Sequence, residues 1–275
     1  MGAFTVVWEG LRDPPSNRTE GLPIVIDIVS SPQMIVVVAV AFLVAGAVKG
    51  VVGLGLPTVS LALLTVALGL KEAMALMLIP SLVTNIWQGL AGGALADIMR
   101  RLWSLFLFGC VAIWFGTGLL ATADTGALSA LLGLLLCVYS AISLMTPQVP
   151  PPGRWETVLT PATGAATGFL CGLTGSFVVP GVLYLQALGL PRDVLVQAMG
   201  VAFTISTAAL AVALGGHGLL PVELGVVSAA ALVPAAAGMV LGQWIRHRIP
   251  EQRFRTVFFC ALLALGAYLF LRVLV

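Results

Sequence analysis

Charge is what this sequence has least of. Only 9% of its 275 residues are Asp, Glu, Lys or Arg, against about 25% in ordinary soluble domains. A soluble fold of this length needs a polar skin, and so few charges cannot supply one. Acidic residues are missing from the middle of every long apolar run: Asp97, Asp124 and Glu223 all read as loop or segment-end positions. A carboxylate relay for protons is therefore not expected. The chain has no G-x-x-x-x-G-K-[ST] loop, which argues against nucleotide-driven work. It has no basic cluster interleaved with aromatics, and its net charge is only +2, so no nucleic-acid partner is expected. The four cysteines (Cys110, Cys137, Cys171, Cys260) lie inside apolar segments without metal-ligand spacing and read as buried structural thiols. With no His-rich or Asp-rich motif either, no metal or other cofactor is expected. The N-terminus lacks a basic stretch followed by a long apolar run, so no cleaved signal peptide is expected.

What is present is apolar surface. Hydrophobic residues make up 60% of the chain, with 31 glycines among the rest. Lipid accepts such a surface when helices satisfy every backbone N–H and C=O internally, and small residues let those helices pack closely. The fold class expected is an all-α polytopic membrane protein. A full span takes about 20 residues. Breaks at Gly, Pro and charged residues place segments at 33–53, 56–70, 73–94, 102–122 and 126–146, then at 157–173, 176–190, 193–215, 221–244 and 254–275. The organisation is a tail (1–32), a five-segment half (33–146), a Pro-rich linker (147–156) and a second five-segment half (157–275). Segments two and seven are short and read as half-helices.

Basic residues orient the chain. With the N-terminal tail on side one, side two receives Arg100, Arg101, Arg154, Arg192, Arg246, Arg248, Arg253 and Arg255. Side one receives only Arg12, Arg18, Lys71 and Arg272. Side two is therefore expected to be cytoplasmic, with both termini and the tail outside the cell's inner membrane.

The halves resemble each other. Gly46-x-x-x-Gly50 is echoed by Gly164-x-x-x-Gly168, Gly53-Leu54-Gly55 by Gly172-Leu173-Thr174-Gly175, and Ala67-Leu68-Gly69-Leu70 by Ala187-Leu188-Gly189-Leu190. Thr84 aligns with Thr204 on this scheme. An odd number of segments per half makes the second copy enter from the opposite side. Inverted repeats are an architecture of secondary transporters, whose sites lie near the midplane where interrupted helices of the two halves meet. Here those are residues 46–60 and 164–180.

The Gly-rich G-x-G-x-P stretch at Gly53, Gly55 and Pro57, its degenerate echo in the second half, and the Thr/Asn-bearing helix at Thr84–Asn85 together resemble the TauE/SafE family over about residues 33–275. The echo lacks a counterpart of Pro57; Pro180 comes later. The resemblance implies a membrane transporter for a small anion such as sulfite or an organosulfonate, of the exporter type. An anion channel fits the same fold. An intramembrane serine hydrolase built on Ser176 and His217 is a further alternative, disfavoured because the local order is Gly-Leu-Thr-Gly-Ser and His217 falls in a Gly-rich loop.

Lys49 is the most informative single residue. A lysine at the membrane centre costs roughly 2.5–3.5 kcal/mol on insertion scales, which an anionic substrate would offset; snorkelling to an interface is the bland alternative. Gly50, Gly53, Gly55 and Pro57 form the first break, where a new helix N-terminus aims free N–H groups and Thr58 at an anion; simple packing through small residues is the alternative. Thr174, Gly175 and Ser176, with Thr167, are the second-half counterparts, though hydroxyls in such helices often bond back to the i−4 carbonyl. Thr84, Asn85 and Gln88 occupy one turn of segment three, opposed by Gln197, Thr204, Ser206 and Thr207 in segment eight. The expected partners are this small anion and the lipid bilayer. The oligomeric state stays open, a homodimer included.

Overall fold

In the computed structural model, residues 31–145 and 150–273 are described. The tail up to residue 30, where the absence of a signal peptide was expected, and linker residues 146–149 lie outside them. Every regular element among the described residues is helical. The first half comprises α1 (Pro32–Val52), α2 (Leu56–Leu68), α3 (Leu70–Leu90), α4 (Leu95–Thr122) and α5 (Thr125–Met145). The second comprises α6 (Glu156–Thr174), α7 (Val178–Ala187), α8 (Arg192–Gly216), α9 (Val222–Ala230), α10 (Leu232–Arg246) and α11 (Glu251–Leu271). Among the described residues, seven helical stretches are long and apolar enough to cross a membrane, α9 and α10 counting as one. Large apolar side chains such as Trp87, Phe115 and Val226 point outward, as a lipid-facing surface requires. The protein is a multi-pass membrane protein.

Several expected bounds move for local reasons. Helix α4 starts at Leu95 rather than 102, because Arg100 and Arg101 occupy its outer turns and a charged residue does not end a helix. The expected segment 221–244 divides at Ala231. Pro234 lacks an N–H and crowds the carbonyl four residues back, which accounts for the break. The expected segment 176–190 shrinks to α7, where Val179 is extended (φ −122°, ψ 129°) just before Pro180; a residue preceding proline is pushed to that region.

Proline also shapes α3. Pro80 cannot donate to Leu76, so that buried carbonyl needs another partner. Ser228 of α9 donates its hydroxyl to Leu76 O at 2.7 Å, and the Ile79 N–H donates to the same hydroxyl at 3.2 Å.

The two halves interlock as a pseudo-two-fold pair. Helix α1 packs on α10, and α4 on α6; α3 packs on α8, and α5 on α11. Segment one of each half therefore meets segment four of the other, while segments three and five meet their own counterparts. The like-with-like pairs touch through glycine: Gly89 against Gly200, and Gly133 against Gly266.

The helix ends correct the repeat register, because α1 stops at Gly53 and α6 at Gly175, 122 residues later. Gly46 and Gly50 lie against the backbone of Ala235 and Met239, whereas Gly168 and Gly172 lie against that of Gly109 and Ile113. The step from Gly46 to Gly168 and from Gly50 to Gly172 is 122 residues. The expected match to Gly164 and Gly168 is one helical turn off, because three glycines at four-residue spacing (164, 168, 172) satisfy either register in sequence.

Three contacts fix which helix ends share a side. The Arg101 guanidinium pairs with the Glu156 carboxylate (2.6 and 2.9 Å), joining the starts of α4 and α6. Arg272 donates to Val66 O at 3.2 Å, joining the ends of α11 and α2. His217, after α8, stacks on Trp114 of α4 at 4.8 Å between ring centroids. Each pairing joins ends that the count of segments puts on one common side. The Arg101 hydrogen bond holds the Glu156 carboxyl below its ordinary range.

Candidate functional site

The two breaks are built alike. Helix α1 ends at Gly53, in the left-handed region (φ 82°), whose N–H donates to Lys49 O at 2.8 Å. Helix α6 ends at Gly175 (φ 74°), whose N–H donates to Cys171 O at 2.7 Å. Glycine takes this conformation without the clash a Cβ brings. Helix α2 then opens at Leu56 and α7 at Val178, again 122 residues apart. The structure thus makes Cys171 the counterpart of Lys49, Ser206 that of Thr84, and Thr207 that of Asn85. The expected pairing of Thr84 with Thr204 shifts by two residues.

In the first half Lys49 is 4% exposed. It does not snorkel. Its ammonium donates to Thr84 Oγ1 at 3.2 Å and to Asn85 Oδ1. Thr84 in turn donates to Pro80 O at 2.8 Å, which leaves its lone pairs facing the lysine. The Asn85 amide nitrogen and the Ser81 hydroxyl one turn earlier are buried with no partner among the described residues. Lys49 is the single charged side chain in the buried set of described residues. The neighbourhood is therefore a cation surrounded by unused donors.

In the second half the same positions line a small cavity. Its polar wall is Thr58, Cys171, Gly175, Ser206 and Thr207; Pro57, Met77, Phe177, Phe203 and Leu210 complete it. Thr58, Ser206 and Thr207 are more than nine-tenths buried. Phe177 and Phe203 meet edge to face at 5.5 Å and close one side.

The remaining expected site residues divide. Gly53, Gly55, Pro57 and Thr58 belong to the first break, and Gly175 to the second. Gly50 lies elsewhere: it faces Met239 and Gly242 on α10 and serves close helix packing. Thr174 bonds back to Leu170 O at 2.7 Å and caps the Ser176 N–H at 3.3 Å. The Ser176 hydroxyl is buried without a partner among the described residues, while His217 turns its Nε2 to Trp114 O at 3.3 Å; the two form no dyad. Thr204 bonds back to Gly200 O at 2.7 Å and is absent from the cavity wall. Gln88 and Gln197 clasp α3 to α8: Gln88 donates to Val196 O at 2.8 Å, and Gln197 donates to Gly89 O at 2.9 Å and accepts from the Ala94 N–H at 3.0 Å.

Of the cysteines read as buried structural thiols, only Cys171 is fully buried; Cys260 is exposed. Cys171 was overlooked as a site residue because a thiol in an apolar run carries no signal of its own. The corrected register, with Lys49 as its mate, is the signal that finds it. No cluster of three or more His, Cys, Asp or Glu suited to a metal occurs among the described residues.

Two five-segment halves in inverted contact, each broken at its first helix beside a buried polar set, define a membrane protein of the inverted-repeat transporter type. The model of the sulfite exporter TauE/SafE family matches residues 38–269, and the chain belongs to that family of membrane transporters. No curated protein and no solved structure matches the chain.

Proposed function

We propose that the protein is a secondary transporter that exports a small anion, sulfite or an organosulfonate, by alternating access at a midplane site between its halves. One observation carries this reading: Lys49 is a buried cation beside a helix break, and its hydrogen-bond partners among the described residues are the neutral Thr84 and Asn85. A charge taken out of water without a counter-charge is costly, and a bound anion supplies the missing one. Thr58 at the start of α2 adds a hydroxyl and a helix N-terminus suited to an anion's oxygens. Alternation follows from the pseudo-two-fold packing, since rocking one half against the other exchanges which side the site faces. The excess of arginine at the linker side supports a cytoplasmic linker with both termini outside the inner membrane.

The test is ligand-dependent thermal stabilisation of the purified protein by sulfite, sulfate, thiosulfate and small sulfonates. Stabilisation by at least one sulfur oxyanion, lost in Lys49→Gln, is the expected result. Indifference to all of them would remove the proposal. A channel is the second reading, favoured if counted turnover in liposomes far exceeds carrier rates.

A further inference from the structure

The pseudo-two-fold relation makes the two half-sites directly comparable, and they differ in charge. The first presents Lys49, Thr84 and Asn85. The second presents Cys171, Ser206 and Thr207 at the equivalent positions, lining a cavity. A symmetric ancestor-like arrangement with lysine in both halves would hold two cations. This chain holds one. Thr58, Ser206 and Thr207 are more than nine-tenths buried and line the cavity, so the uncharged half offers hydroxyls to oxygens rather than charge to charge.

The helix ends do not supply a second charge. The start of α2 at Leu56 carries only about half a unit of charge as a helix end, so it adds hydrogen-bond donors rather than a second full charge. Helix α7 starts irregularly, with Val179 extended. On the helices around Lys49, charged residues sit in terminal turns: Lys71 and Glu72 on α3, Arg246 on α10, Arg253 and Arg255 on α11. Among the described residues, the formal charge available in the buried interior is the single positive one of Lys49.

We infer that the site selects monoanions: hydrogen sulfite and organic sulfonates of one negative charge, over sulfate, thiosulfate and the sulfite dianion. This deepens the anion-transport reading and rests on it. One charge on the ligand is compensated by Lys49. A second would remain buried without a partner, which is strongly unfavourable. The single-charge rule is set by Cys171 standing where its mate is lysine.

The experiment is flux into proteoliposomes holding the full-length protein, with methanesulfonate, sulfate and thiosulfate as competitors. Methanesulfonate is a monoanion at every pH used. Sulfite exchanges its second proton near neutrality. The expected result has three parts. Methanesulfonate competes at least about tenfold better than sulfate or thiosulfate. Sulfite flux rises in mildly acidic medium in proportion to its hydrogen sulfite fraction. Methanesulfonate flux does not share that rise, whereas an effect on the protein itself moves both alike. Cys171→Ser keeps this preference, and the pair Cys171→Lys with Thr207→Asn, which supplies the acceptor Asn85 gives Lys49, narrows it. Sulfate competing as well as methanesulfonate, with transport intact, overturns the inference alone. Absence of flux for every anion overturns the transport reading, and this inference with it.

Discussion

Exchanging glycine for alanine at positions 50 and 172 tests the inverted repeat through its packing. A Cβ at Gly50 would sit 2.9 Å from the Gly242 Cα, with the Met239 carbonyl closer still; at Gly172 it would sit 2.9 Å from the Gly116 Cα, with the Ile113 carbonyl closer still. Real Cβ atoms do not approach backbone so nearly, and backbone has no flexible end to swing away. The helices must separate, α1 from α10 in one case and α6 from α4 in the other. Overpacking of this kind costs about 1–3 kcal/mol. Removing a helical glycine returns up to about 1 kcal/mol, so the net loss is roughly 1–2 kcal/mol at each position. In a protein this size that lowers the melting temperature by about 2–4 °C per kcal/mol. Gly225, in the middle of α9, is the control: nothing lies within 4 Å of a Cβ there, and alanine should be neutral or stabilising. Thermal unfolding in one detergent reads all three. The reasoning fails if Gly50→Ala and Gly172→Ala differ widely from each other, or if both behave like Gly225→Ala.

Other outcomes follow from single contacts. Ser228→Ala leaves the Leu76 carbonyl and the Ile79 N–H without their partner, a loss of about 1–3 kcal/mol visible as a lower melting temperature. Gln197→Leu removes a buried hydrogen bond from α8 to Gly89 at the end of α3 and a part-buried one from the Ala94 N–H just before α4; stability should fall by a similar amount, with the ranking of transported anions unchanged. Glu156→Gln removes an exposed ion pair with Arg101, and its effect should stay under about 1 kcal/mol. Because the Glu156 carboxyl titrates below its ordinary range when folded, that pair's contribution is present above the ordinary carboxylate range and disappears as pH falls through the lowered value. A stability profile of Glu156→Gln against the parent should therefore converge only in strongly acid medium.

Much of the fold was legible because its signals are collective. Scarce charge, long apolar runs and glycine breaks together demand a helical membrane protein, and the parity of the segments sets the inversion. The register was not legible, because Gly164, Gly168 and Gly172 offer two equivalent alignments and only the matching helix ends at Gly53 and Gly175 select one. At the site, Lys49 with Thr84 and Asn85 could be read from a lone cation and a polar turn. Gln88 and Gln197 look the same in sequence, yet they serve the clasp between α3 and α8; polarity says a side chain faces inward but not what it meets. Cys171 and the hydroxyls of Ser206 and Thr207 gain meaning only from their places opposite the Lys49 set.

The central claim is that a small sulfur oxyanion crosses through a site centred on Lys49 between the two halves. Sulfite flux through the reconstituted protein, compared between the parent chain and Lys49→Gln of matched folding, tests it most directly. The account predicts saturable flux at carrier rates in the parent and near-complete loss in the variant. Equal flux in the two, or none in the parent, would contradict it.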